Sequence, residues 1–380
     1  MSTADFLRRL PGTSWDVQRQ DTFWSRIHID LPLLVLLLAL TGFGLVVLYS
    51  AGGADIHYIK RQAVFFAVGY CVMFTIAQFN LSFLERWCWL LYVAGVGLLA
   101  AVLVVGVGAK GAQRWLDLGG FRFQPSEILK LAMPLTISMY LSRRMLPPRF
   151  KHIFFTLVLV IIPSVLILKQ PDLGTSLLIA MSGLIVLFLS GLPWRYIISA
   201  LGLVLASAWP AWHFVLHDYQ RTRILTLLNP EADKLGAGWN IIQSKTAIGS
   251  GGITGKGWLN GTQSQLDFLP ESHTDFIIAV LAEEFGLEGV LCLLGLYILV
   301  LTRGVMIAAT SQKTFGRLLA GSITFTLFVY IFVNIGMVSG LLPVVGVPLP
   351  FVSYGGTSLL TLMMGFGLLM AVATQRRKEP

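Results

Sequence analysis

Of 380 residues, 55% are hydrophobic and only 12% charged, and the mean hydropathy is +0.75. Soluble domains carry charge on about a quarter of their residues, so a soluble fold is excluded and a polytopic membrane protein is expected. The net charge of +9 is accounted for by Lys and Arg in loops and by the pull of anionic lipid, without nucleic acid.

Residues 1–30 are polar, contain acids and run into a full-length apolar stretch with no small-residue cleavage pattern, so they are expected to remain as a cytoplasmic segment and not to be removed as a signal peptide. Ten apolar stretches follow, near residues 31–50, 62–78, 88–106, 125–141, 153–168, 175–190, 196–215, 276–301, 315–338 and 350–373. Most approach the roughly 20 residues that carry a helix across about 30 Å of hydrocarbon, and the sixth is short enough to lie deep or partly irregular. The alternation of barrel strands is absent. The fold class is therefore all-α, a polytopic bundle of ten transmembrane helices over residues 31–373 with a tail at 374–380. The bases of Ser142–His152 and Gln375–Lys378 predict that both termini are cytoplasmic. No internal repeat indicates an inverted-repeat transporter.

Polar residues at the stretch boundaries are the candidates for chemistry. Lys60-Arg61-Gln62 opens the second stretch, where the bases either snorkel to lipid phosphates or line an external pocket. An external loop from Gly108 to Gly119 leads through Gln124-Pro125-Ser126-Glu127 into the fourth. Glu127 and Lys130, three apart on that helix, share a face. They read either as a structural ion pair or as the wall of a cavity in which Lys130 meets an anionic pyrophosphate. Gln170 to Thr175 is a turn with Asp172 as a local cap.

Residues 217–272 form the one large external loop, expected to be a structured lid with short amphipathic helices on the outer leaflet. Its glycines between Gly249 and Gly261 permit tight turns and close backbone approach. The loop ends in Pro270-Glu271-Ser272-His273-Thr274-Asp275, which meets the eighth stretch without a spacer. Asp275 reads either as an N-cap or as a functional acid. If this run is extended, Glu271, His273 and Asp275 point the same way, an arrangement that also suits a hard divalent ion. His273 alone reads as an interfacial hydrogen bonder. Two turns into the eighth stretch, at least one of Glu283 and Glu284 has to face a cavity or a base. The run Leu342 to Gly356 is broken by three prolines and three glycines, so an irregular or re-entrant segment is expected. Cys71, Cys88 and Cys292 are isolated and read as buried packing residues.

Five strings in this order resemble the SEDS family (shape, elongation, division and sporulation), its rod-shape branch more than its division branch. They are Lys110 to Gly119, Gln124 to Glu127 with Lys130, Gln170 to Ser176, Phe268 to Phe276, and Pro348 to Gly356. The resemblance covers about residues 28–375. It implies a peptidoglycan glycosyltransferase of the bacterial inner (cytoplasmic) membrane that polymerises lipid II on the outer face during cell elongation. Its implied partners are a class B penicillin-binding protein, whose transpeptidase crosslinks the strand, and other elongation-complex membrane proteins. Asp275 matches the acid the family requires, and Trp115, Glu127 and Lys130 match further cavity positions.

The implied chemistry needs a base for the attacking 4-hydroxyl and positive groups for the departing pyrophosphate. Asp275 is the expected base. Lys130, Arg61 and a divalent cation are candidates for the second task, followed by Arg114 and Lys110, and His273 completes the substrate-binding set. No metal ligand set is complete, so metal dependence does not follow from the sequence, and the divalent cation stays a candidate. The rival readings are a lipid II flippase and a noncatalytic membrane scaffold for cell-wall enzymes. A flippase would carry ionisable residues through the full depth of a pathway, and Glu283 and Glu284 are the main ones set deep. A partner helix is expected against Gly95, Gly97, Ala100 and Ala101 or against stretches eight and nine, with its juxtamembrane domain on loop 217–272.

Overall fold

An apolar segment taken out of water has to pair its own backbone groups, and a helix stands at each of the ten apolar stretches. The computed structural model describes residues 27–109, 112–117, 122–216, 218–232, 237–265 and 271–375. The helices are α1 (Leu31–Ala51), α2 (Ile56–Ala77), α3 (Leu81–Val105), α4 (Ser126–Ser142), α5 (Phe150–Leu168), α6 (Leu173–Leu189) and α7 (Trp194–Pro210). In the loop come α8 (Asp218–Leu228), α9 (Ala237–Gly251) and α10 (Thr262–Gln265), then α11 (Ile277–Thr310), α12 (Thr314–Val338) and α13 (Thr357–Ala373). Six of them, α1, α2, α3, α5, α11 and α12, are long and apolar enough to cross a membrane, while α6, α7 and α13 are apolar but shorter.

Two acids start helices as local chemistry requires. The Asp172 carboxylate accepts the Thr175 N–H at 3.1 Å at the head of α6. Asp30 accepts the Leu33 N–H at 3.0 Å and also holds Arg303 of α11 at 2.6 Å, tying two helices together at the end of the bundle far from Asp275. Around this frame α2 packs along α13, α3 along α4, and α11 against both α1 and α12. α7 stands off, with Ile198, Leu203 and Leu205 exposed by 66%, 71% and 68%.

Several expectations need correction. The loop between α3 and α4 holds a small antiparallel sheet of β1 (Val107–Ala109), β2 (Ala112–Asp117) and β3 (Arg122–Phe123), which a purely helical reading omits. The loop helix α9 is held by the bundle itself. It buries Ile241, Ser244 and Ala247 against the bundle, and the Ser244 hydroxyl donates to the Val338 carbonyl at 2.8 Å. Cys88 is buried, but Cys71 and Cys292 are exposed, since a thiol is apolar enough for the outward face of a membrane helix. Gly95 is unavailable to a partner helix, because a Cβ there would stand 2.9 Å from Leu129 of α4; Gly97, Ala100 and Ala101 do face outward.

Candidate functional site

The run before α11 is turned, not extended. Thr274 N–H donates to the Glu271 carbonyl at 3.1 Å, and Glu271 has a φ of +60°. Glu271, His273 and Asp275 therefore do not share one face as a strand would place them. The N-cap position of α11 belongs to Phe276, without a side-chain cap bond, so Asp275 lies one residue outside the helix. The cap reading of Asp275 is thereby set aside.

Three consecutive carbonyls fix this turn, two to the irregular segment that precedes α13 and the third to α12. The His273 carbonyl accepts from Tyr354 N–H at 2.9 Å, that of Thr274 from the Ser353 hydroxyl at 2.5 Å, and that of Asp275 from the Asn334 amide at 2.9 Å. The same Asn334 nitrogen donates to the Val347 carbonyl at 2.7 Å. Tyr297 donates its hydroxyl to the Pro350 carbonyl at 2.5 Å, and the Gln62 amide oxygen accepts Gly355 N–H at 3.3 Å. The proline-broken run 342–356 is thus irregular backbone whose polar groups are met by side chains of the bundle, as burial demands. Asp275 is half-buried, and its Oδ2 lies 3.5 Å from the position a Cβ on Gly346 would take.

His273 packs with two tyrosines in a three-ring cluster, its ring 5.1 Å from Tyr58 and 6.0 Å from Tyr354, which themselves meet edge to face. Arg61 follows Tyr58 by three residues on α2 and shares its face. It is exposed, with its guanidinium 5.9 Å over the Phe65 ring. Of the Lys60-Arg61-Gln62 run, the deep partner is the uncharged Gln62, fully buried.

Glu127 and Lys130 form a buried pair at 2.7 Å, and the second Glu127 oxygen accepts the Thr361 hydroxyl at 2.6 Å. Lys130 also lies 5.9 Å from the Tyr330 ring. Tyr330 is four residues from Asn334 on α12, hence about one 5.4 Å turn further along the bundle from the Asp275 turn. Lys130 and Tyr330 head a small, largely apolar cleft between α4, α6, α12 and α13. Arg114, on β2, reaches Asp172 at 3.7 Å and donates to the carbonyls of Gln170 and Pro171. Its neighbour Trp115 is half-buried, opposite Val107. The recorded contacts of Arg114 thus join the sheet to the head of α6 and do not reach Asp275. Lys110 lies outside the described residues. Among the described residues no three His, Cys, Asp or Glu side chains gather as a cation cluster.

Asn334, Ser353 and Gln62 escaped the sequence reading because a single amide or hydroxyl inside an apolar run gives no pattern; their bonds are to residues far away in the chain. Replacing Asn334 by Leu leaves the Asp275 and Val347 carbonyls without donors, at about 1–3 kcal/mol for each buried orphan. A lowered thermal unfolding midpoint in detergent is expected, and an unchanged one would show that the amide fork adds nothing to stability.

A family model described as "Cell cycle protein", covering FtsW, RodA and SpoVE, matches residues 31–378. The chain is 55% identical over 362 residues to the peptidoglycan glycosyltransferase MrdB of Escherichia coli K12, covering 95% of this chain and 98% of that protein. It is 38% identical to a probable peptidoglycan glycosyltransferase FtsW of Geobacter sulfurreducens, over 92% of this chain and 96% of the relative. Among solved structures it resembles a chain from work on a peptidoglycan synthase complex that coordinates polymerization and crosslinking, with a TM-score of 0.80, 33% identity and coverage of 90% and 97%. The rod shape determining protein RodA of Thermus thermophilus matches with a TM-score of 0.70 at 31% identity, over 92% of this chain and 98% of that one. On a match over nearly its whole length, the chain belongs to the FtsW/RodA/SpoVE cell cycle proteins, the SEDS family.

Proposed function

We infer that this chain is a peptidoglycan glycosyltransferase of the rod-shape type, polymerising lipid II into glycan strands. The observation that carries the reading is 55% identity to a protein of that activity over 95% of the chain, joined to an acid held in a built turn at one end of the bundle. In this reading the ten helices outside the 217–272 loop, the shorter ones included, all cross the membrane, both termini are cytoplasmic, and the Asp275 end faces outward.

Asp275 accepts the proton of the acceptor sugar's 4-hydroxyl as that oxygen attacks the anomeric carbon of the donor. The anomeric bond to the lipid pyrophosphate breaks with inversion, and the pyrophosphate leaves with the bonding electrons. Lys130 supplies positive charge for the leaving group, with Arg61 at the rim; Trp115, Arg114, Glu127 and His273 shape the surrounding surface. The bonds to the 273, 274 and 275 carbonyls support this role for Asp275, because they hold the acid in place by its backbone.

Deep charge in α11 is what a transport pathway would use. Here Glu283 is instead paired with Lys256 of the loop at 2.7 Å, and Glu284 accepts the Ser50 hydroxyl of α1, which supports polymerase over flippase. We propose further that the chain works beside a crosslinking transpeptidase, as the structural relative in a synthase complex suggests. The partner helix would rest on the outward Gly97, Ala100 and Ala101 stripe or on α11 and α12. The decisive experiment is purified protein with lipid II in the absence of any other polymerase. Glycan polymer is expected, and its absence with the transpeptidase both present and omitted would refute the assignment.

A further inference from the structure

In an unbroken helix the N–H groups of residues 287 and 288 would donate to the carbonyls of 283 and 284. α11 is broken between them at Gly286, which has a φ of +62°. Leu287 N–H turns to the Gly252 carbonyl at 3.1 Å and Glu288 N–H to that of Ile253 at 3.2 Å. The abandoned carbonyls of Glu283 and Glu284 accept from Lys256 N–H at 3.0 Å and Gly257 N–H at 2.9 Å. Loop residues 252–257 thus enter the break and satisfy all four helix groups.

Side chains lock the loop there. The Glu283 carboxylate, 0% exposed, accepts from Lys256 Nζ at 2.7 Å, from both the hydroxyl and the N–H of Thr262 at 2.9 Å, and from Gln263 N–H at 3.1 Å. The backbones meet so closely that a Cβ on Gly255 would collide with the Glu284 carbonyl, and one on Gly286 with the Ile253 carbonyl. The glycine-rich middle of the loop is explained by this contact.

We propose that residues 252–257 are a splint that positions Asp275, and that Glu283 and Lys256 are positioning residues for glycosyl transfer; this rests on Asp275 being the base. The half-helix Ile277–Phe285 is buried through Glu284 and leads back across Phe276 to Asp275. At 1.5 Å per residue it is a rod of about 13 Å, so a tilt of about 10° at Gly286 moves its tip by about 2 Å. A misplacement of about 1 Å can cost 100-fold in rate. Withdrawal of the splint would let residues 283–288 recover their own helical bonds and swing the acid away from its register.

The test uses the full chain with its transpeptidase partner in detergent, assayed with lipid II and followed by hydrogen exchange. Gly286→Ala favours the continuous helix and drives its Cβ into the Ile253 carbonyl, and Glu283→Gln keeps size while removing the charge that holds Lys256. Both are expected to lose exchange protection over residues 252–263 while α12 and α13 keep theirs. For both, kcat should fall by about 100-fold, with KM for lipid II within about threefold. A splint released with kcat unchanged overturns the proposal, as does lost activity with the splint still protected or with protection lost throughout the bundle. Asp275→Asn in the same assay separates the two ideas. If it stays active, the base assignment fails; if it is inactive while Gly286→Ala is active, the splint fails.

Discussion

Asp275→Asn is expected to lower glycan polymerisation by about 10²–10⁴-fold, the usual contribution of a positioned general base. Asn has nearly the same shape, so the change removes the proton acceptor with little change in volume. The turn is held through the 273, 274 and 275 carbonyls, which the substitution leaves in place. α11 does not depend on the residue for a cap, because Phe276 occupies that position. Thermal stability should therefore change by less than about 0.5 kcal/mol, and partner capture should persist. Near-normal polymer from purified Asn protein would remove Asp275 as the base.

Lys130→Met carries the second large effect. It strips the 2.7 Å partner from a buried carboxylate whose other oxygen accepts the Thr361 hydroxyl. Breaking one half of a buried pair costs about 3–5 kcal/mol, so both the unfolding midpoint and polymerisation should drop. Adding Glu127→Gln neutralises the stranded charge while preserving an oxygen for Thr361. The double variant should regain stability without regaining activity, since the positive charge for the pyrophosphate is still missing. Polymerisation at the normal rate by the double variant would make the pair structural only.

The Glu283 lock explains why so polar a group is tolerated deep in α11. A lone carboxylate there would be costly, but Lys256, Thr262 and Gln263 surround it from the loop. A sequence reading can demand a base for Glu283 or Glu284 without saying which lysine answers, because Lys256 lies 27 positions before Glu283 in the chain. The reverse error occurred at Glu271, His273 and Asp275. Their alternate spacing suggested a shared face, but the Glu271 carbonyl turns the chain back on itself within three residues.

The sequence by itself determined the apolar helices, the caps at Asp172 and the broken run 342–356. Each depends on local rules, namely the length of an apolar run, the carboxylate three residues before an N–H, and the missing N–H of proline. Only the tertiary structure decided that Asn334 holds Asp275 and that Gln62 meets Gly355. It likewise paired Lys256 with Glu283 and sent Arg114 to Asp172 and not to the acid. These bonds join groups remote in the chain, and in a bundle many polar side chains could satisfy the same buried carbonyl or charge. Which one does is set by how the helices pack, so burial dictates that a partner exists and packing selects it.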